Sequence, residues 1–438
     1  MTSRVAFMLR AFAYPNYRLF FGGQIVSLIG SWISMTATSW LVYRLTGSAM
    51  ALGVVGFAGQ FPGFVMGPFA GAFLDRWDRH RVLIVTQTLS MVQSFALAVL
   101  TFTGHITVPA IILLNGVQGI VNAFDMPARQ AFLPTMISDR DDLANAIAMN
   151  SSMFNAARLI GPSVAGFMIA TAGEAWCFLV DGVSYFAVII ALLAMKDVRR
   201  LHRPAKQPSI MQHLFEGWRY VIGFRPIRSL MLQLAWLCLV VMPFSVLMPV
   251  FADEILGGGP NTLGFLMGAS GLGAMSGALW LTTRKSVVGL GRVILVNTIV
   301  FGAGLIGFAL SRWLWVSLVF MTIAGFGMMV TMASTNTVIQ TIVDEEKRGR
   351  VMSFYTMSFL GTAPFGSLLA GWLSTRIGAP ETVMLSGVLC IATAVWFARE
   401  LPAIRALVRP IYMRMGILPE VAQGLQTATN LMTPPEQD

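Results

Sequence analysis

The residues placed to do chemistry here form no nucleophile–base set, nucleotide-binding loop or metal-ligand spacing; they are ions in apolar surroundings. The stretch GAFLDRWDRHR, residues 71–81, carries Asp75, Arg76, Asp78, Arg79, His80 and Arg81 between two long charge-free runs. Ions in hydrocarbon cost several kcal/mol, so a charged connection this short belongs at a membrane surface. Its chemistry is ion pairing: a carboxylate at Asp75 for a positive partner, and Arg76, Arg79 and Arg81 for lipid phosphates and Asp78. Arg158 and Asp181 fall deep inside apolar runs, and Asp125 near the end of another. At 1.5 Å per residue, Arg158 lies roughly 15 Å from the nearer surface, so it needs a partner or a water-filled cavity. Asp125 is the favoured partner and Asp181 the alternative, in a static interhelical clamp or in coupling or substrate contact. Four amides, Gln24, Asn122, Gln233 and Asn336, also sit in apolar runs, where polar groups face protein or water rather than lipid. Cys177, Cys238 and Cys390 fall singly in three runs and read as packing residues.

The chain is 56% apolar and 11% charged, against about 25% charge in a soluble domain. Runs of roughly 20 apolar residues, each long enough to cross a bilayer, recur along it. Their spacing predicts twelve helices, over 19–43, 50–74, 82–102, 108–124, 142–170, 175–195, 226–251, 262–283, 293–310, 313–343, 351–375 and 382–398. The first run is too long for a cleaved signal core and reads as a retained helix. Of the 30 Lys and Arg, alternate loops on one side hold three, Arg44, Arg312 and Arg376. Arg158 lies within a helix, and the other 26 fall on the side of the termini. The positive-inside rule then puts both termini in the cytoplasm. The net charge of +10 is therefore membrane topology rather than a nucleic-acid surface.

The expected organisation is an N-terminal bundle (1–195), a cytoplasmic linker (196–225), a C-terminal bundle (226–400) and a cytoplasmic tail (401–438). In the linker, Ser209 with Gln212 reads as a capping box. It opens a basic amphipathic helix that lies at the interface or packs on the bundle base. GPFAGA (67–72) is echoed by GAMSGA (273–278), and GPSVAG (161–166) by APFGSLLAG (363–371). Such repeats with Gly/Pro-interrupted spans are the pattern of secondary transporters. Gly59, Gly63, Gly67 and Gly71 line one face of the second helix, over which a neighbour can slide closely or simply pack. In the fifth helix, Gly161 and Pro162 loosen the turn and predict a bend.

The charged loop resembles the loop between helices 2 and 3 of the major facilitator superfamily, with Asp78 at the place of a glycine and His80 at that of a basic residue. GPSVAG, ending at Gly166, is similar to the helix 5 signature of the superfamily's exporters. NYRLFFGGQ (16–24), WLVYRLTGS (40–48), NAFDMPARQAFLP (122–134), NAIAMN (145–150) and IQTIVDEEKRGR (339–350) resemble the branch that includes enterobactin exporters and macrolide-efflux permeases. The resemblance implies an all-α membrane protein of two pseudo-symmetric six-helix bundles working by alternating access. It also implies a gating set of Gly71, Asp75, Arg76, Arg79 and Arg81, with Asp75 meeting a helix start near 349–351. Helices 1, 4, 7 and 10 would line the central cavity with Gln24, Asn122, Gln233 and Asn336. Asn115 stands where many proton-coupled antiporters carry arginine, so the resemblance supplies no proton relay on helix 4. The function expected is export of a small amphipathic compound, drug-like or siderophore-like, across a bacterial-type inner membrane. The transporter would be a monomer without a cofactor, with protons as candidate coupling ion. Alternatives are a lysophospholipid flippase of the same fold and a non-transporting membrane sensor or scaffold. Enzymatic chemistry is disfavoured.

Overall fold

A computed structural model describes residues 9–74, 77–196, 210–284 and 286–417. Asp75, Arg76 and the Ser209 cap therefore lie outside the described residues.

The first half contains α1 (Pro15–Thr46), α2 (Ala49–Leu74), α3 (Arg79–Phe102), α4 (Val108–Phe132), α5 (Arg140–Ala172) and α6 (Glu174–Ala194). The linker helix α7 (Ile210–Gly223) leads to α8 (Arg225–Trp236), α9 (Gly259–Thr282), α10 (Leu290–Leu310) and α11 (Leu314–Ile342). Then come α12 (Glu345–Leu360), α13 (Ala363–Ile377) and α14 (Ala379–Arg414). Successive helices run back and forth through short connections. The end that holds Pro15 and Arg414 is called the near end below, the opposite one the far end.

Local chemistry explains the boundaries. Pro15 opens α1, where a missing N–H costs nothing, and Gly47 closes it with φ 58°. Asp78, the departure from the loop pattern, caps α3 by accepting from the backbone N–H of His80 at 3.0 Å and Arg81 at 3.4 Å. Gly173 and Gly378 turn the chain at the far end with φ 92° and 91°. They stand 205 residues apart, as do Gly166 and Gly371, so the internal repeat extends to its turns.

Among the described residues, eleven helices are long and apolar enough to cross a membrane. The span expected over 351–375 is instead divided at Gly361–Thr362 into α12 and α13. Gly361 relaxes the turn, and Pro364 lacks the N–H that would have bonded one turn back. Beyond Trp236, α8 continues to Ile255 through π-helical and 3₁₀ turns, where Pro243 and Pro249 interrupt its hydrogen-bond ladder. By contrast α5 runs unbroken through Pro162. The C-terminal bundle also outruns its expected end at 400: α14 reaches Arg414, burying Leu401, Ile404, Val408 and Tyr412.

Polarity is distributed as lipid requires. Leu113, Phe167, Leu193 and Leu310 face outward, while Thr86, Gln87, Ser90, Gln93, Ser94, Asp125 and Asp181 are buried. Exposed tryptophans mark both ends, Trp77 and Trp218 near, Trp176, Trp313 and Trp315 far. The linker helix packs on the bundle: Val221 and Gly217 face inward, the latter against Phe354 of α12, while Trp218 and Ile222 are exposed.

Candidate functional site

The halves meet along two helix pairs, α2 with α13 and α5 with α9. Each crossing sets glycine on glycine. A methyl group on Gly53 would stand 2.6 Å from the Ser367 carbonyl oxygen and 3.2 Å from the Gly371 Cα. One on Gly166 would stand 2.7 Å from the Pro260 oxygen and 3.0 Å from the Gly264 Cα. In lipid, helices associate through packing rather than hydrophobic driving force, so close backbone approach supplies the attraction. Both crossings lie toward the far end. There the Tyr43 hydroxyl also donates to Glu254 Oε1 across the halves, and Arg44 brackets Glu174 within the first half at 2.7 Å and 3.2 Å.

The glycine face expected on α2 divides. Gly59 packs on Gly119 of α4 inside the first half, and Gly63 and Gly67 have no neighbour within 4 Å of an added methyl. The tight crossing falls on Gly53, one face over and nearer the far end. Past Gly59 the inter-half boundary is aromatic. Phe57, Phe61 and Phe64 of α2 gather around Phe365 of α13 with centroids 5.9 to 6.3 Å away, and Phe64 lies against the α12–α13 break. The 57/61/64 spacing of a single helical face was the sequence signal for this cluster. Beside it Gln60 donates to Ser367 at 3.3 Å.

The buried charges pair differently from expectation. Asp125 is bound by Arg129, with Thr86 and Gln87 each donating to Oδ1 at 2.8 Å. The reason is that α4 continues to Phe132, which puts Asp125 a full two turns inside the helix and Arg129 one turn further along its face. Arg158 makes no salt bridge among the described residues; its guanidinium lies 6.0 Å from the Trp32 ring centroid, a cation–π contact. Gly161 lets α5 close onto Trp32. Pro162 deprives the Arg158 carbonyl of its helical donor, and that oxygen abuts Gly271 of α9. Asp181 is buried on α6 and accepts from Ser94 Oγ at 2.6 Å.

The four amides separate into two kinds. Asn122 is exposed and Asn336 partly so, each bonded to a glutamine one turn away, Gln118 at 3.1 Å and Gln340 at 3.0 Å. Gln24 and Gln233 are both buried, at 1% exposure. Gln233 donates to Thr298 at 3.1 Å. Of the gating set, Gly71 lies in α2, Arg79 donates to the Ala131 carbonyl at 3.1 Å and Arg81 is exposed. The helix start expected near 349–351 is interior to α12, which begins at Glu345 and carries Asp344 at its cap position. That N-terminus is already flanked by its own carboxylates.

Two helical bundles thus meet at one end along close glycine crossings. The chain belongs to the transmembrane secretion effector family of the major facilitator superfamily, whose model matches residues 8–422. It is 26% identical to the staphyloferrin A transporter of Staphylococcus aureus (strain NCTC 8325 / PS 47), over 87% of this chain and 95% of that one. It is 27% identical to the multidrug efflux pump Tap of Mycolicibacterium fortuitum, over 81% and 88%, and 25% to macrolide efflux protein A of Streptococcus pyogenes, over 87% and 96%. Among solved structures, an inward-facing, unoccupied bacterial homologue of the human lysosomal transporter Spinster superposes with TM-score 0.66 at 15% identity, covering 92% of this chain and 98% of that one. An inward-facing bacterial homologue of the iron transporter ferroportin also gives 0.66, at 14% identity, over 87% and 98%. These two show the fold. The protein is an integral membrane secondary transporter, not an enzyme.

Proposed function

We propose that this protein exports a small amphipathic compound, drug-like or siderophore-like, from the cytoplasm across a bacterial inner membrane. The observation that carries the reading is the pair of glycine crossings at one end, Gly53 on Gly371 and Gly166 on Gly264, with unfilled glycines on α2 toward the other. Such an arrangement lets the halves pivot, exposing a path first to one side and then to the other. The Phe57, Phe61, Phe64 and Phe365 cluster beside Gln60 suits a substrate with an aromatic or apolar body and a few polar groups. The named relatives, a siderophore transporter and drug efflux pumps, support the same class.

In this reading α12 and α13 together make the eleventh of twelve crossings, the near end is cytoplasmic, and the protein works as a monomer. Gly71, Asp75, Arg76, Arg79 and Arg81 form the near-end gate. A whole-cell efflux panel of macrolides, lipophilic cations, siderophores and lysophospholipids in an export-deficient host tests it, with and without a protonophore. Efflux of a drug or siderophore that a transport-dead Gly264→Leu variant lacks is the expected result. Movement of lysophospholipid alone would replace export with flipping, and no movement of any compound would end the reading.

A further inference from the structure

A cavity of about 520 Å³ opens at the near end between the linker helix α7 and α12. Arg219 and Tyr220 border it from α7, Lys347 and Arg350 from α12. Gly217 makes this juxtaposition possible. A methyl there would stand 2.7 Å from the Phe354 ring and 3.4 Å from the Arg350 Cβ, so α7 lies directly against α12. Apart from glycine, the rest of the lining is apolar, with Phe224 half-buried and Val351 buried.

Three cations thus share one concavity, and no carboxylate lines it among the described residues. Lys347 reaches Asp344 at 3.3 Å, but that carboxylate is exposed, and an exposed pair of this kind contributes little. The same ammonium stands 4.7 Å from the Tyr220 ring centroid, which holds it at the cavity wall. Arg219 is exposed and makes no salt bridge among the described residues. Arg225, just beyond the cavity, differs: Glu400 takes both of its bonds at 3.0 Å. Cations gathered from two helices into one concavity raise the local potential and attract an anion.

The surroundings favour a lipid over a free ion. Trp218 and Ile222, on the adjoining face of α7, are 54% and 42% exposed, and exposed tryptophan belongs at the headgroup level. Trp218 also meets Phe354 of α12 with 6.0 Å between ring centroids, so apolar surface continues across both helices beside the cations. Acyl chains have a surface to lie along while the phosphate enters the cavity. Basic pockets between helices at a membrane surface take anionic headgroups in this way.

We propose that this cavity binds the phosphate group of an anionic phospholipid from the near leaflet. Arg219 and Lys347 grip the phosphate oxygens from two helices, and the lipid thereby ties the linker to α12. The site goes beyond the export reading and holds whichever compound the protein moves.

The test titrates the full chain, purified in a neutral detergent, with dioctanoylphosphatidylglycerol, dioctanoylphosphatidylcholine and inorganic phosphate. Native mass spectrometry counts bound lipid, and Tm is followed in parallel. Wild type should retain the anionic lipid in preference to the zwitterionic one, and its Tm should rise with the anionic lipid alone. Each cation at such a surface contributes roughly fivefold, so Arg219→Gln combined with Lys347→Gln should weaken binding about 25-fold. Arg405→Gln combined with Arg409→Gln removes the same charge from the exposed near end of α14 and should leave binding unchanged. Gly223→Leu keeps every charge and projects into the cavity, with no neighbour within 4 Å of an added methyl. It should fold normally and still lose the lipid. Equal retention of the two lipids, or equal effects of the two double variants, would overturn the proposal in favour of diffuse surface charge. Inorganic phosphate that raises Tm as far as the anionic lipid does would overturn the lipid assignment in favour of a free-anion site. Undiminished binding in Gly223→Leu would put the lipid outside the cavity and overturn the proposal as well.

Discussion

The Tyr43 hydroxyl at the end of α1 and the Glu254 carboxylate at the end of the α8 segment are hydrogen-bonded to each other across the two halves. Tyr43 is buried and Glu254 exposed, so the bond lies at the lip of the far-end closure. A bond to a charged acceptor contributes about 1.5–3 kcal/mol when shielded, and solvent at Glu254 reduces that. With about 1 kcal/mol remaining, Tyr43→Phe should raise the far-end-open population about fivefold. Thiol labelling of a cysteine placed at Ser367, beneath the crossing, measures it. Unchanged labelling would make the bond a surface contact without gating weight.

The glycine crossings give a sharper effect because the neighbours are backbone, which cannot rotate away. Gly264→Val should disfavour the closed far end and lower Tm, with a cost of about 1–3 kcal/mol from overpacking. Gly67→Ala, with open space around it, should change stability by less than about 0.5 kcal/mol. Thermal unfolding of the two variants in one detergent compares them. Equal losses would contradict the placement of the crossing.

Arg129→Ala strands the Asp125 carboxylate, and breaking a buried pair costs about 3–5 kcal/mol. Because Arg129 is partly exposed, the lower end is expected. Adding Asp125→Asn should recover most of the loss, whereas Arg158→Ala, which leaves no buried carboxylate, should cost less than Arg129→Ala. Unfolding midpoints across this set decide it. A larger loss from Arg158→Ala, rescued by Asp125→Asn, would restore the pairing expected from sequence.

Orientation is checked independently. Cysteines at His105 and Gly258 should react with an impermeant thiol reagent from outside the cell, and one at Lys206 should not. The opposite pattern would reverse the assignment of the near end to the cytoplasm.

What the sequence by itself determined is set by one-dimensional properties. Apolar run length is dictated by bilayer thickness, so most spans and their alternation were legible, within a few residues at each end. The repeat was legible too, because glycine positions such as Gly166 and Gly371 are fixed by backbone approach rather than by side-chain choice. The break in the eleventh span had its signal in Gly361 and Pro364, but whether such a pair bends or divides a helix depends on what packs there, here Phe64. Partners were decided by the tertiary structure alone. Asp125 had Arg129 one turn away and Arg158 in another helix, and choosing between them required knowing how far α4 runs and which face of α5 meets Trp32. The amides show the same limit: Gln24 and Asn122 are equally polar interruptions in sequence, yet one is buried and the other exposed. Helix rotation about its own axis made that distinction, and rotation is fixed by neighbours contributed from distant parts of the chain.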